Sequence, residues 1–366
     1  MLPKITKYLL LLISSVAFSQ QNGRFSLEAD FFYGNILPHN NTIKHLITNR
    51  SEGILVSFNQ KTFGEKEWQS TYNFPDYGGS FHYQNTNNPT LGNLFGVYGH
   101  YNFYFFNRNL TFRVAQGISY NTNPFDKTEN FRNLAYGSKL MPSTYFMLNY
   151  KKENIFHNIG VQAGISFFHH SNANFRSPNT STNTLAANFG LNYSFDKNVE
   201  NQRIKKFSDT TNYRLQPIKF SIALRSGLNE SDIINSGQFP FLVVSTQAEK
   251  RLSRVSGLQF GADFFFMEYL KEYIKFKSVA YPNENISPQT DYKRVGIFVG
   301  HELYINHFSV EGQFGYYLYS PFKYLGPFYQ RLGLKYYISQ EIFAATSLKT
   351  HGAKAEALEF GVGIKF

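Results

Sequence analysis

Alternation of apolar and polar side chains runs through most of the chain from residue 25 onward. A period of two residues places successive side chains on opposite faces of a strand, so this pattern predicts an all-β protein. Turn-forming clusters rich in Asn, Ser, Gly and Pro separate the runs. Twelve clear runs are Leu91–Asn107, Leu110–Asn121, Ser143–Lys151, Ile155–His170, Asn183–Phe195, Leu215–Leu228, Phe239–Lys250, Gly257–Leu270, Tyr292–Asn306, Phe308–Ser320, Phe328–Ile338 and Ala357–Phe366. Four weaker runs, Phe25–Tyr33, Gly53–Lys61, Gly79–Gln84 and Glu341–Lys349, bring the predicted total to about 16 strands, within a range of 12–16.

The connections between these runs alternate between short turns and longer polar loops. Arg108–Asn109 and Lys152–Asn154 are short, whereas Thr122–Pro142 and Ser171–Thr182 are long. Short turns on one side and long loops on the other are typical of an antiparallel transmembrane β-barrel. One polar connection, Asp196–Arg214, is long where a short one is due, and we interpret it as an insertion. No linker divides the remainder, so residues 20–366 are predicted to form one outer-membrane barrel.

The last run has the alternation expected of a membrane strand. Leu358, Phe360, Val362, Ile364 and Phe366 share one face, and small or charged residues occupy the other. An edge strand of a β-sandwich could show the same alternation. The terminal aromatic residue, together with the predicted signal peptide described next, favours the barrel over the sandwich.

The first nineteen residues predict export. Lys4 and Lys7 precede the largely apolar stretch Tyr8–Phe18, and Ala17 and Ser19 supply small residues at the spacing of a signal-peptidase site. We therefore interpret residues 1–19 as a signal peptide. The formal net charge of +11 suits an acidic surface such as phosphorylated lipopolysaccharide, although ordinary solvated lysines account for it equally well.

Composition excludes several classes of protein. The chain has 39 Phe and 26 Tyr but no Cys, which removes disulfide scaffolds, cysteine-ligated metals and thiol nucleophiles. A mean hydropathy of −0.35 argues against a polytopic helical membrane protein, whereas alternating barrel strands hide their apolar surface from such an average. Nothing in the sequence implies a metal or cofactor, and no dinucleotide or nucleic-acid motif is present.

Three polar side chains converge on a face that should be apolar. Extending the alternation through Ile155–Ser171 puts His169 and Ser171 on the apolar, lipid-facing side, near the outer end of their strand. Asn183 holds the equivalent position on the next run. If the two runs pair as a hairpin, Asn183 returns beside His169.

A serine beside a histidine is the minimum needed for nucleophilic acyl transfer, because the imidazole takes the hydroxyl proton as the oxygen attacks an ester. Asn183 would orient the imidazole through its amide oxygen. Spacing alone favours an ordinary exposed loop entrance, because such residues are inexpensive at the headgroup level. Arg176, in the same loop, is a candidate ligand for a substrate phosphate.

These residues resemble the active-site segment of a known family. The His-His-Ser-Asn run at 169–172, the Pro178–Asn179 pair and a polar residue at 183 are similar to those of the lipid A 3-O-deacylase (PagL) family. The length of the chain is closer to the longer relatives described as acyloxyacyl hydrolases. The resemblance implies an outer-membrane esterase that removes an ester-linked acyl chain from lipid A, the lipid anchor of lipopolysaccharide. It implies Ser171 as nucleophile, His169 as base, Asn183 as orienter, and Asn172 and Asn179 on the oxyanion side.

The resemblance is incomplete at one position. Asn183 stands where the family has a glutamate, and an amide cannot stabilise an imidazolium by charge. A distant acid, Asp126 or Glu129, could replace that glutamate. Two alternatives stay open: a passive pore, because a barrel near sixteen strands can hold an aqueous lumen, and a catalytically inactive barrel of the same family. The sequence leaves the acyl position and the oligomeric state undetermined.

Overall fold

The computed structural model describes residues 24–195, 216–352 and 354–366. It contains sixteen antiparallel strands: β1 Phe25–Ile36, β2 Ser51–Gln60, β3 Asp76–Asn85, β4 Asn93–Phe105, β5 Leu110–Asn121, β6 Leu140–Phe156, β7 Ile159–His170, β8 Thr182–Ser194, β9 Lys219–Asn229, β10 Phe239–Arg251, β11 Ser256–Met267, β12 Arg294–Ile305, β13 Phe308–Tyr319, β14 Phe328–Tyr337, β15 Ile342–His351 and β16 Lys354–Lys365. Two α-helices, α1 Glu67–Thr71 and α2 Glu268–Ala280, and 3₁₀ turns at Asn41–Leu46 and Pro282–Glu284 lie in connections. The predicted all-β class and number of strands are confirmed.

The strands close into two eight-stranded barrels. In the first, β1 pairs with both β2 and β8, and in the second, β9 pairs with both β10 and β16. The single sixteen-stranded barrel expected from the sequence is therefore replaced by two. Alternation records which face of a strand is apolar but carries no information on where a sheet closes. The polar segment Asp196–Arg214 falls between β8 and β9, and both it and the predicted signal peptide lie outside the described residues.

Each barrel presents an apolar outer face and encloses a packed interior. The first barrel holds an apolar layer of Phe32, Leu55, Tyr98, Ala115, Tyr145, Met147, Phe168 and Ala186. Beside it, the carboxylate of Glu28 pairs with Arg113 and with Lys151 Nζ at 2.7 Å. An eight-stranded barrel is just wide enough for side chains to fill it. Among the described residues, side chains fill the interior, which argues against the aqueous lumen on which the pore alternative rests.

The second barrel is filled in the same way and carries a helix at its loop end. Tyr269, Leu270 and Ile274 of α2 are buried in a cluster with strand residues such as Phe265 and Phe298. The helix lies within a segment that the sequence analysis assigned to a strand end and a loop. Its apolar residues follow helical rather than strand spacing, and two ion pairs three residues apart, Glu268–Lys271 and Glu272–Lys275, support its exposed face.

Several strand ends differ from the predicted ones. β6 continues to Phe156, so the turn to β7 falls at residues 157–158 and not at Lys152–Asn154. A register shift after Lys152 accommodates the extra residues. β7 ends at His170, which leaves Ser171 as the first residue beyond the strand. Neighbouring aromatic residues are divided between the two faces, because Phe264 and Tyr316 face outward while Phe265 and Tyr317 point into the barrel.

Contacts group the chain into two compact units. Residues 124–141 and 171–181, which connect strands of the first barrel, belong to the second unit together with the described residues from 216 onward. Of the helices in the described ranges, none combines the length and apolar character needed to cross a membrane.

Candidate active site

The β7–β8 hairpin places His169 and Asn183 opposite each other. The two strands pair in register from Ile159↔Tyr193 to His169↔Asn183, as the hairpin prediction required. Along β7, Val161 and Ile165 are exposed on the outer face and His170 is buried inside. His169 lies on the outer face at the loop end of the strand, because it is an even number of residues from both exposed side chains.

A hydrogen bond of 2.6 Å joins His169 Nδ1 to Asn183 Oδ1. An amide oxygen can only accept, so Nδ1 carries the proton in this arrangement. The other ring nitrogen, Nε2, then has a lone pair. This is the tautomer that a general base requires.

Ser171 lies one residue beyond β7 and is 6% exposed. Its hydroxyl donates to Asn179 Oδ1 at 3.1 Å and accepts from the backbone N–H of Ala173 at 3.1 Å. The hydroxyl oxygen is thus fixed in position by two partners. Its single proton lies on the Asn179 side in this structure and must rotate away before a base can take it.

Asn172 is 1% exposed and holds the turn that follows Ser171. Its backbone N–H donates to Asn179 Oδ1 at 2.9 Å, and its Nδ2 donates to the carbonyl of Arg176 at 2.5 Å. Both of these donors therefore bind the loop itself. Asn179 is half-buried and accepts through its oxygen, while the Arg176 side chain is exposed.

Hydrogen bonds within the second compact unit anchor the segment 171–181. Asn174 Nδ2 donates to the carbonyl of Glu230 at 2.7 Å, and the Glu230 N–H returns a bond of 3.0 Å to the Asn174 carbonyl. The Glu230 carboxylate is 2% exposed and accepts from Ser177 N at 2.8 Å and from Gly237 N at 3.3 Å. Sequence reasoning missed Glu230, since nothing in the local pattern links it to residue 171.

Asp126, one of the two distant acids considered, is engaged in its own turn. Its Oδ1 accepts from the backbone N–H of Thr128 at 2.8 Å and of Glu129 at 3.0 Å. The backbone N–H groups of Glu129 and Thr128 and the Thr128 hydroxyl, with a smaller effect from the charge of Arg176, lower the pKa of Asp126 to about 2. The orienting partner of the His169 ring in the structure is Asn183.

Two further polar side chains lie beside His169 on the outer face. Thr144 on β6 is the direct partner of His169 in the β6–β7 register, and its hydroxyl donates to Gln116 Oε1 on β5 at 2.6 Å. Sequence reasoning missed both residues. The signal that could have found them is a polar residue at an outward position in an otherwise apolar run.

Within the part of the chain that the structure describes, no group of three or more His, Asp and Glu side chains converges as a metal site would. The fold and the side chains at its loop end define a class: a β-barrel protein whose first barrel carries a hydrogen-bonded histidine–asparagine pair on its outer face.

Two family models match the chain, one over each barrel. The model described as "Lipid A 3-O-deacylase (PagL)" matches residues 52–192, and the model described as "Acyloxyacyl hydrolase, C-terminal domain" matches residues 218–366. Together they cover most of the chain, which therefore belongs to the PagL family. The resemblance inferred from the segment 169–183 is confirmed at the level of the family.

Solved structures similar to the chain include two mutants of the Rhodopseudomonas blastica porin. Each is 9% identical and covers 93% of this chain and 99% of its own, with TM-scores of 0.20 and 0.19. Such low TM-scores carry no argument about fold or function. Among curated proteins, none matches the chain.

Proposed function

We propose that this protein is an outer-membrane esterase that hydrolyses an ester-linked acyl chain of lipid A. Ser171 is the nucleophile, His169 the general base, Asn183 the group that orients the imidazole, and Asn179 the side chain on the oxyanion side. Asn172 holds the turn that carries Ser171. The observation that carries the proposal is the 2.6 Å bond from His169 to Asn183, on the outer face of the barrel and two residues from a serine.

The short stretch of chain between His169 and Ser171 limits the distance between the base and the nucleophile. His169 and Ser171 are separated by one residue, and two trans peptide units span at most about 7 Å between Cα atoms. Over this distance the His169 imidazole can reach the Ser171 hydroxyl when their side chains turn toward each other. Membership of the PagL family supports lipid A as the substrate.

The chemistry is a two-step acyl transfer. Ser171 Oγ attacks the ester carbonyl carbon while its proton passes to His169 Nε2, and the oxyanion that forms is met by the amide Nδ2 of Asn179. Collapse breaks the bond to the sugar oxygen, which takes the proton from the imidazolium. Water then attacks the acyl-serine by the same route, releasing a fatty acid and restoring the hydroxyl.

The outer faces of the barrels and the position of His169 support a location in the outer membrane. The outer faces of both barrels carry exposed Phe, Leu, Ile and Val side chains, as a wall in contact with lipid requires. His169 lies at the loop end of β7, where an ester at the boundary between headgroups and acyl chains would reach it. The exposed Arg176 then contacts a phosphate of lipid A or the surrounding lipopolysaccharide.

Hydrolysis by the purified protein tests the proposal directly. Wild-type protein in detergent should release a fatty acid from lipid A, and Ser171→Ala and His169→Gln should each reduce the rate by at least about 10³-fold. Ser253→Ala, in the exposed turn after β10, is the matched control and should keep the wild-type rate. Equal rates for wild type and Ser171→Ala would refute the proposal, and absence of hydrolysis by wild type would favour the inactive barrel.

A further inference from the structure

Four polar side chains form a row across the outer face of the first barrel. Gln116 on β5, Thr144 on β6, His169 on β7 and Asn183 on β8 occupy adjacent strands. Their neighbours on the same outward faces are apolar and exposed, among them Ile118 and Phe146. His169 and Asn183 are used in the proposed reaction, which leaves the Gln116–Thr144 half of the row unassigned.

The hydrogen bonding of this half leaves a defined set of donors and acceptors for a ligand. The Thr144 proton is given to Gln116 Oε1, so the Thr144 oxygen is left with lone pairs that accept. Gln116 uses its oxygen in that bond, so its NH₂ group is left to donate. One acceptor and one donor therefore lie side by side on an exposed surface.

Position relates this pair to the scissile ester. Thr144 is directly opposite His169 across the β6–β7 ladder, where facing Cβ atoms are about 4.5–5.5 Å apart. A group bound by Thr144 thus lies one strand from the imidazole. Thr144 and Gln116 make one bond between themselves, and the donor and acceptor that remain lie level with His169 on the outer face, so a polar group of the substrate can bind them beside the ester.

We propose that Gln116 and Thr144 form a subsite for a secondary amide next to the ester that is cleaved. The Thr144 oxygen accepts the amide N–H, and the Gln116 NH₂ group donates to the amide carbonyl. The subsite selects esters of an amino sugar whose neighbouring carbon bears an amide-linked acyl chain, over esters that lack such a neighbour. This inference rests on the proposed function of His169 and Ser171.

Two substrates separate selectivity from catalysis. One is a glucosamine carrying an ester-linked acyl chain beside an amide-linked one, and the other is a p-nitrophenyl ester of the same fatty acid. We expect Gln116→Leu and Thr144→Val to lower kcat/KM for the acylated glucosamine about tenfold each, as loss of one hydrogen bond would. Turnover of the p-nitrophenyl ester should stay within about twofold of wild type.

Control variants distinguish the loss of a contact to the substrate from a general disturbance of the barrel surface. Thr144→Ser keeps the hydroxyl and should keep the selectivity. Gln60→Leu, on the outer face at the opposite end of the same barrel, should change neither substrate's kcat/KM. An equal loss on both substrates, or no loss on the glucosamine substrate, would overturn the subsite.

A binding measurement keeps the subsite testable apart from catalysis. In the Ser171→Ala background, Gln116→Leu should raise the Kd for the acylated glucosamine about tenfold, the same change of one hydrogen bond. Unchanged affinity would contradict the subsite even if wild type is an active esterase. Weakened affinity would support it even if wild type hydrolyses nothing, so the two failures are distinguishable.

Discussion

At the scale of residues, the central feature is a histidine oriented by a neutral amide. Asn183 Oδ1 fixes the His169 tautomer through a bond of 2.6 Å but supplies no negative charge for the imidazolium of the proposed reaction. Replacing the orienting acid of a serine protease by its amide costs about 10⁴ in kcat, because charge and tautomer are both affected. In this chain the amide already favours the productive tautomer.

Asn183→Asp should therefore raise the rate of ester hydrolysis. A carboxylate of the same length keeps the acceptor for Nδ1–H and adds the missing charge, so we expect an increase of at least about tenfold in kcat. Asn183→Leu, which removes the acceptor, should lower kcat. Initial rates on a p-nitrophenyl ester measure both, and a slower Asn183→Asp enzyme would contradict the role given to Asn183.

Sequence reasoning predicted that His169 pairs with Asn183, and the strand register confirms it. It also put Ser171 on the outer face of the same strand, but β7 ends at His170 and Ser171 is buried in the loop beyond it. It could not show that the donors of Asn172 are used within the loop, since those bonds depend on the local turn. It also passed over Gln116 and Thr144. Each is a single polar residue in its run, and only the register across strands reveals the row.

At the scale of elements, the segment that carries Ser171 is held from outside the hairpin. Glu230 accepts from Ser177 N and bonds Asn174 through its backbone, and all of these groups are buried. Removing the carboxylate leaves the N–H of the buried Ser177 without its acceptor, at a cost of about 1–3 kcal/mol. The position of Ser171 then depends on the connection that follows β9.

Glu230→Ala should lower kcat about tenfold with little change in KM, because a displaced segment misplaces the nucleophile more than it weakens substrate binding. Glu230→Gln keeps one acceptor oxygen and should fall between Ala and wild type. Glu272→Ala, on the exposed face of α2, is the matched control. Steady-state kinetics measure these effects, and a wild-type kcat for Glu230→Ala would contradict the role of Glu230 in positioning Ser171.

The interior of the second barrel depends on paired charges. Arg331 Nη1 lies 2.8 Å from Asp263 Oδ2 and its Nε lies 2.7 Å from Glu359 Oε2, with all three side chains fully buried. Arg331→Met leaves two buried carboxylates without this partner, which should destabilise the protein by about 3–5 kcal/mol.

Lys275→Met, which breaks an exposed pair on α2, should cost less than about 1 kcal/mol. Denaturant unfolding of the refolded protein compares the two variants. Similar losses would contradict the structural role of the Arg331 pairs.

At the scale of the whole molecule, two closed barrels replace the one that alternation suggested. The number of strands could be predicted because each strand has its own local alternation of apolar and polar residues. The closing pairs β1–β8 and β9–β16 could not, because they join segments far apart in the chain. The helix α2 was missed for a different reason: its apolar residues continue directly from those of β11.

Filled interiors lead to an expectation about conductance. Among the described strand residues of the second barrel, six basic and six acidic side chains are buried, and the first barrel holds its own aromatic and ionic layers. We expect no stable ohmic steps in planar-bilayer recordings. Steady conductance from the purified protein would support the alternative that it is a passive pore.

The most direct test of the central claim is the mass of lipid A from cells that carry the intact gene, compared with cells that carry Ser171→Ala. With the intact gene, lipid A should lack one acyl chain, and with Ser171→Ala that chain should be restored. Identical lipid A masses in the two strains, with both proteins present in the outer membrane, would contradict the claim that Ser171 attacks a lipid A ester.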